Sequence, residues 1–176
     1  WVNKNTEHEV DEYSKQYYSL TEKMLKDFVE SRQLRHLSAN YDVIEKINRL
    51  HDEGYWIQLL TARRDTDLIC KYDTYAWLAE SGLKFHGVAF DSEKYLWVSR
   101  TEFFAKGKVV CAIDDSSKHA LEYAKHGIPV LVPRMVSNEE IEGTDNVTMY
   151  DTAGGMYKSV HSHSRKNNLL PESLVK

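Results

Sequence analysis

The chain has 176 residues, 41% of them hydrophobic, and a formal net charge of −4 from 23 basic and 27 acidic side chains. That length and apolar content suit one domain with its own core and room for a small appendage. The acidic balance argues against broad, non-specific binding to nucleic acid while leaving room for a local basic patch, and no apolar run approaches the ~20 residues of a membrane span.

Residues 1–19 are polar, rich in Tyr, Glu and Lys, and show no clear period. The chain opens on Trp1 rather than Met, so an upstream segment is expected. Leu20, Met24, Phe28 and Val29 recur at helical spacing, which predicts a helix over 20–36 capped by Ser19 or Thr21. Val43, Ile44, Ile47 and Leu50 form the next stripe, ended by Gly54. "YWIQLLT" is a short apolar strand. "DTDLICKYDTYAWLAESG" predicts a helix that buries Ile69, Tyr72, Ala76 and Leu78 and ends at Gly82. "FHGVAF" is a strand, "EKYLWVSRTEFFAKG" a helix, and "KVVCAID" a strand. "SSKHALEYAKHG" is a helix with Ser116 or Ser117 as N-cap, followed by the strand "IPVLVP" and a last edge strand "NVTMYD" with a helix after it. The expected organisation is a helical cap or flank over 1–40, an α/β core over 41–160 and a polar tail over 161–176.

Cys70 and Cys111 lie in apolar stretches. Two cysteines so placed make neither a disulfide framework nor a zinc site; they read as buried free thiols in a reducing compartment. With no visible signal peptide, the expectation is a cytoplasmic protein without a membrane partner.

Alternating strands and 10–15-residue helices predict a parallel sheet covered by helices on both faces. In such sheets the chemistry lies at the carboxyl ends of the strands. The residues expected there are Thr61, Ala62 and Arg63 after "YWIQLL", the segment reaching Lys94, and Asp114 with Asp115 after "KVVCAI". A hydroxyl, an ammonium and two carboxylates together suit a phosphate monoester and Mg2+. The carboxylate holds the hard cation through oxygen, and the cation and lysine neutralise phosphoryl oxygens.

"WIQLLTARRDT", a lysine at 94 and "VVCAIDDSSKHALEYAKHGIPVLVP" resemble the second, third and fourth motifs of the haloacid dehalogenase-like (HAD) superfamily, over about residues 41–151. Thr61, Thr74, Trp77, Leu78 and Gly82, with "AIDD", are similar to polynucleotide 3′-phosphatase domains; the helical stretch before residue 41 resembles the small cap of 5′(3′)-deoxyribonucleotidases. The resemblance implies a three-layer, Rossmann-like parallel sheet and a Mg2+-dependent phosphohydrolase acting on a nucleotide or nucleic-acid terminal phosphate. It implies that Thr61, Ala62, Arg63 and Lys94 bind the phosphate, with Lys94 also stabilising the nucleophile. It further implies that Asp114 ligates Mg2+, and that Asp115 supports the metal's water shell or Lys94.

The family's first motif, a strand followed by Asp-x-Asp-Gly-Thr, supplies the nucleophilic aspartate. Asp11, Asp27 and Asp42 do not fit it, and "VTMYDTAGG" has Ala153 where the motif needs Asp or Thr. The expectation is that an upstream segment, another chain or a displaced strand such as "NVTMYD" fills the central place in the sheet. The alternative function is a catalytically inactive HAD-like domain serving as a structural or binding module; a receiver-like fold fits less well.

Other residues have plainer readings. Arg64 is a surface or substrate-side charge, and Lys106 and Lys108 are solvated turn residues. Trp56, Trp77 and Trp97 fit core or cap packing, His86 is a packed histidine, and His161 and His163 form a polar tail pair.

Overall fold

The computed structural model describes residues 22–175. The expected caps Ser19 and Thr21, and Leu20, lie outside the described residues. Helix α1, Glu22–Glu30, ends where Arg32 turns left-handed at φ 61°, and a 3-10 turn, Gln33–His36, follows. The single helix predicted over 20–36 is therefore broken. The break lets Arg32 reach Asp73, a buried carboxylate that accepts from Arg32 Nε at 2.9 Å and Nη2 at 2.5 Å.

Helix α2, Tyr41–Asp52, starts at Asn40, whose side chain accepts from the Val43 amide. It buries Ile44 and Leu50, as its stripe predicts, and the chain leaves it through Gly54 at φ 95°. A Cβ on Gly54 would stand 3.2 Å from both Pro171 and Ser173, so the close approach of the C-terminal segment adds to the need for glycine there. Strand β1, Gln58–Thr61, leads into α3, Leu68–Ser81, capped by the Asp67 carboxylate on the Cys70 amide. Strand β2, Gly87–Phe90, is followed by two short helices, α4 (Lys94–Ser99) and α5 (Glu102–Ala105), where one helix was expected. Thr101 separates them because its hydroxyl caps α5 at the Phe104 amide. Strand β3, Ala112–Ile113, helix α6, Ser117–Lys125, strand β4, Val130–Pro133, strand β5, Val147–Tyr150, and helix α7, Ala153–Lys166, complete the order.

All pairings are parallel, so the chain is of the α/β class. The strands form two sheets, β1 with β2 and β3-β4-β5. In the larger sheet the side chains of β4 alternate. Val130 and Val132 pack with Ala120, Tyr123 and Ala124 of α6, while Leu131 packs on the other side with Leu50 of α2 and Met156 and Val160 of α7. Buried hydrophobic side chains on both faces of a parallel strand are what helical crossovers produce.

No ladder joins the two sheets among the described residues. The amides of Ala112 and Asp114 donate to Pro129 and Leu131, so Ile113 between them turns its N–H away from β4. Likewise, Ile57 and Thr61 accept from the His86 and Asp91 amides, so Leu60 presents its backbone groups to the side opposite β2. Strand "NVTMYD" does not fill the place between them, because β5 pairs with β4.

Several expectations are corrected. Ile69 and Tyr72 are 39% and 63% exposed rather than buried; the inward face of α3 is Cys70, Asp73, Thr74, Leu78 and Ser81. The orientation observed brings Asp73 inward, where Arg32 engages it, and leaves Tyr72 outward. Trp56 is 56% exposed, stacked on His86 at 4.4 Å between ring centroids, and His86 itself is exposed and also stacks on His51. The expected tail begins inside α7, which continues to Lys166; His161 is held there, its Nδ1 3.2 Å from the Tyr55 hydroxyl and its Nε2 3.0 Å from Glu53. Cys70 and Cys111 are free thiols, as expected. No helix among the described residues is long and apolar enough to cross a membrane.

Candidate functional site

Asp114 follows β3 directly and is 7% exposed. Its amide still donates to Leu131, which fixes the backbone in strand geometry for one further residue. One carboxylate oxygen accepts from the Ser116 amide at 3.0 Å, holding the turn into α6, whose N-cap is Ser116 without a side-chain capping bond. The other oxygen accepts from Lys94 Nζ at 2.7 Å. The Lys94 side chain is 15% exposed and opens α4, four residues beyond the end of β2. The crossover leaving one sheet thus delivers an ammonium to the carboxylate at the end of the other, and the carboxyl ends of β2 and β3 lie on the same side.

The sequence did not single out His119, in the first turns of α6. Burial lowers its pKa, the Lys94 charge lowers it further, and the Asp114 charge opposes both. Its place could have been read from its position in the first turn of the helix that follows Asp114. Burial and then the Asp114 charge hold the Tyr123 hydroxyl above its ordinary range.

Asp115 is exposed and does not share Lys94, which pairs with Asp114. Burial and then the charge of Asp115 raise the Tyr150 hydroxyl, which places that carboxylate toward the β5 side.

The end of β1 carries a second group. Thr61 is half-buried; its hydroxyl accepts from the Arg63 amide at 3.2 Å, and its carbonyl accepts from the Asp91 amide at 2.9 Å. Ala62 is exposed. Arg63 turns back over α3 and donates to the Thr74 hydroxyl at 3.0 Å, which itself donates to the Cys70 carbonyl at 2.7 Å. Burial lowers the Arg63 pKa, which the charge of Cys70 opposes. Arg63 makes no ion pair with a carboxylate among the described residues. A half-buried guanidinium with five donors and one hydroxyl partner retains capacity for an anion.

Thr61 and Arg63 on one side, and Lys94 and Asp114 on the other, are not bonded to each other. Both groups stand at carboxyl strand ends. The two described cavities lie elsewhere. One, of about 530 Å³, is lined by Val109, Pro129 and Val147, just before or at the starts of β3, β4 and β5. The other, of about 430 Å³, is lined by Glu53, Tyr157 and His161.

No group of three or more His, Cys, Asp or Glu side chains able to hold a metal gathers among the described residues. Asp114 alone still suits Mg2+, which is held by one or two carboxylates with waters and phosphate oxygens completing its shell. Each of its oxygens accepts one hydrogen bond and keeps lone-pair capacity. Compared with protein-family models, curated proteins and solved structures, the chain matches none.

Proposed function

We propose that the carboxyl strand ends bind a phosphate monoester beside Mg2+, and that the chain is the core of a HAD-type phosphohydrolase acting on a nucleotide or a nucleic-acid terminal phosphate. The observation that carries this reading is the buried Lys94–Asp114 pair, formed between two crossovers at 2.7 Å. A buried ion pair is weak evidence for stability alone, since desolvation offsets most of the attraction. Its position after β3, where open parallel sheets hold ligands, favours a functional role.

In this reading Asp114 anchors the cation and Lys94 neutralises phosphoryl charge. Thr61 and the backbone after it donate hydrogen bonds to the phosphate, and Arg63 supplies a further donor. Bound Mg2+ supplies Lewis-acid charge at the phosphoryl oxygens. The attacking carboxylate of the proposed reaction has no candidate beside Asp114 among the described residues. That favours a second reading, in which the chain is an inactive HAD-like module that binds without turnover, unless an upstream segment or another chain completes the sheet and brings an aspartate.

The test is phosphate release from nucleotides and from 3′- and 5′-phosphorylated oligonucleotides, with and without Mg2+, beside a Mg2+ titration by calorimetry. Asp114→Asn should weaken Mg2+ at least tenfold. Equal Mg2+ affinity in the variant would refute the assignment of Asp114; Mg2+ binding without turnover would select the inactive module.

A further inference from the structure

The larger cavity, of about 530 Å³, lies at the starts of β3, β4 and β5, the opposite end of the sheet from the Lys94–Asp114 pair. The proposed phosphohydrolase chemistry makes no use of it. Beside Val109, Pro129 and Val147, its apolar lining includes Phe104, Ile128 and Leu169. An apolar concavity of about 300–1,000 Å³ with a few placed polar groups is what small organic ligands occupy.

No acidic side chain lines this cavity, although the chain has 27 acidic residues against 23 lysines and arginines. The basic side chains lining it are His126, His163 and Lys166. His126 is engaged: its Nε2 lies 3.2 Å from the Glu122 carboxylate, and its ring stacks on Tyr95 at 3.8 Å between centroids. His163 and Lys166, in the last turn of α7, make no side-chain hydrogen bond or ion pair among the described residues. Among the immediate sequence neighbours of the lining residues, Lys106, Lys108, Lys125 and Arg165 are basic and Asp145 alone is acidic. Of these, Lys106 is paired with Glu102.

Helices α6 and α7 both end here, and the partial negative charge of a helix C-terminus opposes an anion. Several of the carbonyls concerned are met within the chain. That of Tyr123 accepts from the His126 and Ile128 amides, and that of Ala124 from the Gly127 amide and the Asn146 side chain. Those of His163, Ser164 and Arg165 accept from the amides of Asn167, Leu169 and Asn168. None of them draws on the Lys166 ammonium.

We propose that this cavity binds an organic monoanion, an apolar body bearing one carboxylate, with the body against Val109, Val147 and Leu169 and the carboxylate on Lys166 and His163. Burial and then the Lys166 charge hold the His163 imidazole below its ordinary value. Near neutral pH His163 is therefore a neutral N–H donor, and Lys166 supplies the charge. One free cation beside one neutral donor matches a carboxylate better than a phosphate dianion, which calls for more than one cation.

The test uses the full 15N-labelled chain at neutral pH, titrated with 2-naphthoate and, separately, with its neutral counterpart 2-naphthamide. Saturable amide shifts are expected from 2-naphthoate at Gly107, Gly127, Val147 and Asn167, which border the cavity. Lys166→Met should weaken 2-naphthoate about fivefold, the upper range for a solvent-exposed charge pair, and leave 2-naphthamide unchanged. The same spectra show whether the variant keeps its fold; Lys166 is exposed, so it should. Absence of saturable shifts overturns the proposal. So do shifts gathered at Glu53, Tyr157 and His161 of the other cavity. Equal affinity for the amide and the carboxylate, or wild-type 2-naphthoate affinity in the folded variant, overturns it as well.

Discussion

Removing Lys94 tests whether the carboxylate at the end of β3 is buried and charged. At 2.7 Å the two unit charges attract by about 6 kcal/mol at an effective dielectric of about 20, before desolvation is subtracted. Both side chains are largely shielded, at 15% and 4% exposure, so screening by water is slight. Lys94→Met deletes the cation and leaves Asp114 with the Ser116 amide as its remaining donor. Breaking a buried pair in this way costs about 3–5 kcal/mol. The lower end applies here, since the lysine keeps some contact with water. A loss of about 3 kcal/mol in a chain of this size lowers the melting temperature by about 6–12 °C. The assay is a double-mutant cycle by urea unfolding with Lys94→Met, Asp114→Asn and the double variant. The double variant should lose about 2 kcal/mol less than the sum of the singles, because the neutral amide no longer needs a cation. A coupling below about 0.5 kcal/mol, the range of a solvent-exposed pair, would refute the buried-pair argument and the site built on it.

Three further outcomes follow from the same geometry. The amides of Ile113 and Leu60 should exchange hydrogen faster than those of Ala112 and Asp114, which are bonded to β4; equal protection would mean that the place between β1 and β3 is already occupied. The Arg32 guanidinium holds the Asp73 carboxyl below its ordinary value, so its stabilisation is complete above about pH 4 and is lost as pH falls through the lowered folded value. Asp73→Asn should therefore flatten the acid limb of stability in unfolding measurements across pH 2–5, and an unchanged limb would contradict the pairing. Burial pushes the Cys111 thiol up to about 12 and raises Cys70 as well, so both should resist alkylation at pH 8 until the chain is unfolded; mass spectrometry of the native protein showing rapid modification of Cys111 would refute its burial.

The order of elements was legible because it rests on local chemistry. Runs such as "IPVLVP" are too short and too apolar for anything but a buried strand. The stripe Val43, Ile44, Ile47, Leu50 has one period, and Gly54, Gly82 and Gly127 mark chain reversals that positive φ confirms. Asp114 was legible as a strand-end carboxylate for the same reason and Lys94 as a cation reaching the same edge, but the structure decided that Lys94 pairs with Asp114 and not with Asp115. Other features depended on groups distant in sequence. The outward placement of Tyr72 accompanies the burial of Asp73 on Arg32, 41 residues away in sequence, which the apolar pattern of α3 does not show. Trp56 stacks on the exposed His86, His161 is held by Glu53 and Tyr55, and Arg63 by Thr74, each partner lying far away in sequence or in another element. The division into two sheets was likewise a tertiary outcome. Hydrophobic periodicity specifies that a segment is a strand and which residues share a face, but the edge a strand pairs along is settled by backbone hydrogen bonds to a neighbour elsewhere in the chain.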